Sequence, residues 1–167
     1  MVGTISNCGI LTYNKQSQSE LMGKKTILIV EDEFLVALNL SRTLSALGFE
    51  TVGIAPDAKT ALRLAHEMPD FALVDVNLRD GETGPNIGKM LAQEYGAAVL
   101  FLTANPATLG EGVDGTIGCI SKPVDEVEVE RALDFLVDFL SGKAVAPPSA
   151  LRVFPNHSAQ AGASAAT

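Results

Sequence analysis

The sequence predicts an α/β domain built on a parallel sheet, and three observations carry that prediction. Short apolar runs recur along the chain: Ile27-Leu28-Ile29-Val30, Phe71-Ala72-Leu73-Val74, Val99-Leu100-Phe101-Leu102 and Ile117 to Ser121. Helix-length segments separate them, and strands buried on both faces of a parallel sheet read as such runs. Each run also ends on a polar mark: Glu31-Asp32-Glu33, Asp75, Thr103 and Lys122-Pro123. In open sheets of this kind, ligands bind beyond the carboxyl ends of the strands. These polar residues are therefore expected to gather at one edge.

The elements follow in order. A first strand is expected over 26–31, then a helix over 33–47 with Val36, Leu40, Leu44 and Leu47 at helical spacing. Gly48 stops it, because glycine takes the left-handed conformation that closes helices. A second strand spans 51–55, and a helix over 57–67 starts from Asp57 as N-cap. A third strand over 70–75 leads to a helix over 84–95 that ends at Gly96. Strand four covers 98–102 and strand five 117–121. The last helix, 125–140, turns Val129, Ala132, Leu133, Leu136 and Phe139 or Leu140 inward. Asp125 and Glu128 match a capping box at its start. Between Thr103 and Ile117 the helix signal fails: Asn105, Pro106, Gly110, Gly112 and Gly115 leave space for one or two turns at most, from Ala107.

With 167 residues, 47% of them apolar, the chain suffices for one core with length to spare. The folded unit is expected over 24–141, between a flexible arm (1–23, with Met22 as an alternative start) and a disordered Ala/Pro/Ser-rich tail (142–167). No second folded domain is expected after 141. A net charge of −8 argues against nucleic-acid or anionic-membrane binding. No apolar run approaches the roughly 18 residues of a membrane span, and no signal peptide is visible. Cys8 and Cys119, far apart, make neither a disulfide framework nor a zinc site, which fits a reducing cytoplasm.

At the expected edge, Glu31, Asp32 and Asp75 would share one small space. Two like charges about 4 Å apart repel by about 4 kcal/mol at an effective dielectric near 20. A hard divalent cation such as Mg²⁺, which prefers oxygen ligands, resolves that repulsion. Lys122 adds an ammonium and Thr103 a hydroxyl, and together these parts stabilise a phosphoryl group in transfer. A carboxylate can itself be the nucleophile. Asp75 ends the apparently central strand and is the candidate. Asn77 follows two residues on, its backbone carbonyl a further metal ligand.

On Ile27 to Glu33, Leu73-Val74-Asp75-Val76-Asn77-Leu78, Leu102-Thr103-Ala104 and Ser121-Lys122-Pro123, the chain resembles the receiver domain of two-component response regulators over about 25–141. The resemblance implies a doubly wound, flavodoxin-like sheet of five parallel strands in order 2-1-3-4-5, with five helices. It implies phosphoryl transfer to Asp75 from a histidine kinase or histidine phosphotransfer protein. Asp32, Asp75 and the Asn77 carbonyl would hold Mg²⁺ directly and Glu31 through water, with Mn²⁺ or Ca²⁺ as substitutes. Thr103 and Lys122 would contact phosphoryl oxygens, Ala104 would leave access, and the Lys122–Pro123 bond would be cis. Two departures stand out. Cys119 occupies the position of a switching Tyr or Phe, and the helix before it is shortened; Cys119 is expected to be a small packing residue.

The expected function is a stand-alone phospho-acceptor that signals to an unidentified downstream target protein by protein–protein contact. It has no output domain of its own and no separate substrate turnover. A pseudo-receiver indifferent to phosphorylation is the alternative. An aspartyl-phosphate phosphatase resembling the haloacid-dehalogenase family would need a second Asp where Asn77 stands, and a nucleotide binder would need a Gly-rich loop after strand one. Phe34, Leu35 and Leu38 flank the core stripe of the first helix. They are read equally as a docking face for the phosphodonor or as a seat for the arm. Glu126, Glu128, Glu130, Asp134 and Asp138 read as a solvated helix face, Arg79-Asp80-Gly81 as a turn beside the site. His66 and His157 fit no ligand role.

Overall fold

Continuous apolar runs become buried strands in the computed structural model, which describes residues 24–156. Five parallel strands, β1 (Thr26–Val30), β2 (Glu50–Ala55), β3 (Phe71–Asp75), β4 (Ala98–Thr103) and β5 (Gly118–Ser121), lie in the order 2-1-3-4-5. Four helices alternate with them: α1 (Phe34–Ala46), α2 (Ala58–Ala65), α3 (Gly84–Tyr95) and α4 (Glu126–Leu140). Alternate residues of each strand feed two separate cores. Ile29, Leu73, Leu100 and Ile120 pack with α1 and α4, whereas Leu28, Val74, Phe101 and Cys119 pack with α2 and α3. Burial on both faces explains why β3 and β4 lack any polar alternation.

Helix ends follow the expected chemistry. The Asp57 carboxylate accepts the Thr60 amide at 2.8 Å. Asp125 and Glu128 exchange side-chain and backbone bonds in a capping box. Gly48 (φ 89°) and Gly96 (φ 69°) take the left-handed conformation that ends α1 and α3. The fully buried stripe of α1 is Ala37, Leu40 and Leu44, while Val36 and Leu47 are only half-buried. A small Ala lets the helix approach the sheet, and the two larger residues pack at its flanks.

Two expectations need correction. Five helices were implied, but between β4 and β5 there is a single 3-10 turn, Pro106–Leu109. The sheet also has six strands, because Leu151–Val153 forms β6, antiparallel to β5. The tail read from composition over 142–167 is thus partly a strand: Leu151 and Phe154 are 5% and 2% exposed. The arm over 1–23 and residues 157–167 lie outside the described residues. Among the described residues no helix is long and apolar enough to cross a membrane.

Candidate functional site

The site forms where β1, β3, β4 and β5 end together. Glu31 stays in line with the sheet because its amide donates to the Ala55 carbonyl at 2.9 Å. Its carboxylate, 1% exposed, accepts the Glu33 amide at 3.0 Å on Oε1. Asp75 ends β3 in register with Leu102 of β4. Its Oδ1 accepts the Asn77 amide at 3.0 Å. Lys122 is delivered from β5 by its own amide, which donates to the Thr103 carbonyl at 2.8 Å, and the Lys122–Pro123 bond is cis.

Lys122 then bridges the two strands. Its Nζ donates to Asp75 Oδ2 at 2.6 Å and to Glu31 Oε2 at 2.9 Å. Burial alone pulls the Lys122 pKa down, but the contacts with Asp75 and Glu31 more than offset this and hold it above its usual value. Burial raises the Glu31 pKa, and the bonds from Lys122 and the Glu33 amide only partly oppose that rise. Ligand oxygens of Glu31, Asp32 and Asp75 all lie within 4.8 Å of one another. One ammonium among three carboxylates leaves a charge deficit that a divalent cation matches, and the all-oxygen donor set suits Mg²⁺. The residues present fit such an ion.

Thr103, fully buried, completes the edge. Its Oγ1 accepts the Asn105 amide at 3.1 Å, which starts the 3-10 turn. Asn77 and Ala104 are exposed at the mouth of the site. Cys119 is 1% exposed in the core of Phe101 and Phe154, a packing position as expected. Arg79-Asp80-Gly81 does form a turn, closed by reciprocal Leu78–Gly81 bonds of 2.9 Å. Within it Asp80 does more than turn the chain: it accepts the Thr83 hydroxyl at 2.6 Å and the Ala58 amide at 3.2 Å, tying the starts of α2 and α3 together.

One residue beside the site escaped the sequence reading. A Cβ on Gly84 would run into the Asp75 carbonyl oxygen and the Val76 backbone. The only signal was a glycine just before Pro85 at a helix start. Phe34 and Leu35 are 69% and 72% exposed, and Leu38 is half-buried. Beside Lys122, a groove of about 770 Å³ runs between α1 and α4, lined by Val36, Asn39, Thr43, Val124 and Val129 among others.

A doubly wound sheet with an acidic cluster and a lysine at its carboxyl edge defines a class of signalling receivers. A model of the response regulator receiver domain matches residues 27–134. The chain belongs to that family, a family of two-component signalling receivers rather than of catalytic enzymes. It is 35% identical over 82 residues to the phyllosphere-induced regulator PhyR of Methylorubrum extorquens, covering 48% of this chain and 31% of that protein. The transcriptional regulatory protein PdtaR of Mycobacterium tuberculosis is 35% identical over 83 residues, covering 48% and 39%. Among solved structures, the receiver domain of Erythrobacter litoralis PhyR superposes with a TM-score of 0.65 at 29% identity, over 71% of this chain and 94% of that one. The chain spans less than half the length of the curated relatives it matches.

Proposed function

We propose that this receiver takes a phosphoryl group on Asp75 from a histidine kinase or a histidine phosphotransfer protein, with Mg²⁺ bound, and signals by contact with a downstream target protein. The observation that carries this reading is the Lys122 bridge between Glu31 and Asp75, set among three converging carboxylates. Asp32, Asp75 and the Asn77 carbonyl would hold the ion, with Glu31 behind them. When bound, it supplies positive charge to the phosphoryl oxygens. An Asp75 carboxylate oxygen attacks phosphorus in line, and the electron pair of the breaking bond returns to the donor. Lys122 shifts from the carboxylate to a phosphoryl oxygen, so charge is balanced as it moves. The Thr103 hydroxyl donates to another.

The exposed Phe34 and Leu35 and the adjacent groove suit the helical surface of a phosphodonor protein. A Phe34→Ser/Leu35→Ser chain is expected to accept phosphate from that partner at least tenfold more slowly while its reaction with acetyl phosphate is unchanged. Equal loss with both donors would mean damaged folding. A reducing cytoplasm belongs to the same reading, as the place where a phosphodonor protein would meet this receiver.

Incubation with Mg²⁺ and acetyl phosphate, followed by intact-mass measurement, tests the reading. One phosphoryl group is expected on the parent and none on Asp75→Asn; no gain on the parent would count against it. Cys119 in place of a switching aromatic favours a second reading, a receiver whose contacts ignore phosphorylation. It predicts equal target affinity for the two forms. Turnover of unrelated phosphate esters would favour a phosphatase instead.

A further inference from the structure

β6 is built into the fold with more care than a frayed tail needs. It covers the edge of β5, pairing Gly118 with Val153, Cys119 with Arg152 and Ile120 with Leu151. Phe154 donates its amide to the Ile117 carbonyl at 2.9 Å. Both sides are fitted to receive it. Gly118 allows the Arg152 carbonyl to approach where a Cβ would collide, and a Cβ on Gly112 would sit 2.6 Å from the Phe154 ring. Leu151 enters the core under α4, and Phe154 enters the opposite core beside Phe101, at a centroid distance of 6.4 Å. There it packs in one cluster with Phe101, Leu109 and Cys119.

The strand is also tied to the site. Arg152 donates to the Pro106 carbonyl at 3.0 Å, and its guanidinium lies 5.3 Å from the Phe154 ring centre. Pro106 opens the turn whose preceding amide, that of Asn105, is held by the Thr103 hydroxyl. A phosphoryl group on Asp75 presents new acceptor oxygens to that hydroxyl. If Thr103 turns toward them, the Asn105 amide must follow or lose its acceptor, and the Pro106 carbonyl moves with it. Only three residues pair in β6, and Pro155 ends them.

We propose that the outer edge of β5 is a strand-docking surface, closed in the resting chain by residues 151–154 and opened by phosphorylation of Asp75. This rests on the function proposed above. Opening exposes a row of backbone donors and acceptors flanked by two apolar seats, which fits an extended target segment with apolar residues three apart.

Hydrogen–deuterium exchange on the full chain, with Mg²⁺ and phosphoramidate, tests it, the intact mass of the same sample reporting phosphate uptake. Exchange of the Arg152 and Phe154 amides, which face β5, is expected to rise at least tenfold in the phosphorylated chain, with β1 amides unchanged and no effect in Asp75→Asn. Arg152→Ala is expected to raise exchange at the amides of residues 152 and 154 without phosphate. A phosphorylated chain with unaltered exchange there overturns the docking surface and leaves Asp75 as acceptor intact. A chain that takes up no phosphate overturns both, and the mass separates the two cases. Slow exchange in Arg152→Ala would overturn the link through Pro106.

Discussion

Lys122 and Glu31 both have raised pKa values in the fold, so each favours folding on the low-pH side of its own titration, from opposite states of charge. The folded-state pKa of Glu31 lies above its ordinary value near 4.5, because burial penalises the carboxylate first. Folding therefore favours its protonated form, and the stability from this group is full below 4.5 and lost as pH rises through the raised value. Lys122 is the reverse case in charge: its stabilisation is full below 10.5 and is lost only as pH rises through its raised value. A bound divalent cation needs Glu31 ionised. Near the raised pKa, binding should thus release a proton, and affinity should fall as pH drops through it. Titration calorimetry of Mn²⁺ in two buffers of different ionisation heat checks this. A buffer-independent heat near that pH, with the apo chain folded, would contradict it.

Removing the ammonium is the harsher change at the same scale. Lys122→Ala leaves Glu31 and Asp75 facing each other without compensation. Breaking a buried pair costs about 3–5 kcal/mol, and because Lys122 keeps 23% of its side-chain surface, about 1–3 kcal/mol is the expected loss at pH 7. Urea unfolding without divalent ions measures it, and Asp75→Asn should be at least as stable as the parent there. Phosphorylation of Lys122→Ala by acetyl phosphate should fall by about a hundredfold, in line with loss of a charge-stabilising donor.

Elements place these residues, and their packing sets what they tolerate. α3 meets the end of β3 so closely at Gly84 that an added methyl would displace the Asp75 carbonyl. Gly84→Ala should cost about 1–3 kcal/mol as an overpacking change and lower phosphorylation as well, measured by urea unfolding and intact mass. Asp125→Ala, which removes the α4 cap and none of the hydrogen bonds of Glu31, Asp75 or Lys122, should cost about 1 kcal/mol and leave phosphorylation unchanged. The strands of this sheet were legible because two-sided burial writes itself as unbroken apolar runs, as in Phe71–Val74. The caps Asp57 and Asp125 were legible because their chemistry is local. β6 was not: Leu151 and Phe154 are two apolar residues in an Ala/Pro/Ser-rich stretch, and only the waiting glycines 112 and 118, distant in sequence, give them a partner. Gly84 was equally hidden, since its reason is a backbone that arrives from another strand.

For the whole molecule, strand order brings charges from residues 31, 75 and 122 to one edge, and ion binding there should stabilise the entire fold. At a free concentration about a hundred times its dissociation constant, Mg²⁺ should add about 2.7 kcal/mol. The rise in melting temperature should vanish with EDTA and be largely lost in Asp32→Asn. An equal rise in that variant would place the ion elsewhere. The carboxylate trio was legible in the sequence, because its members stand where apolar runs end. That Lys122 touches two of them at once was not, since it depends on how β5 lies against β4.

Location of the phosphoryl group is the most direct test of all. After reaction with Mg²⁺ and phosphoramidate, borohydride reduction should convert the modified carboxyl into a stable alcohol. Peptide mass mapping should find that mark at residue 75 and nowhere else. Reduction at Asp32 or Glu31, or a phosphate that resists borohydride because it sits on a hydroxyl or histidine, would contradict Asp75 as the acceptor.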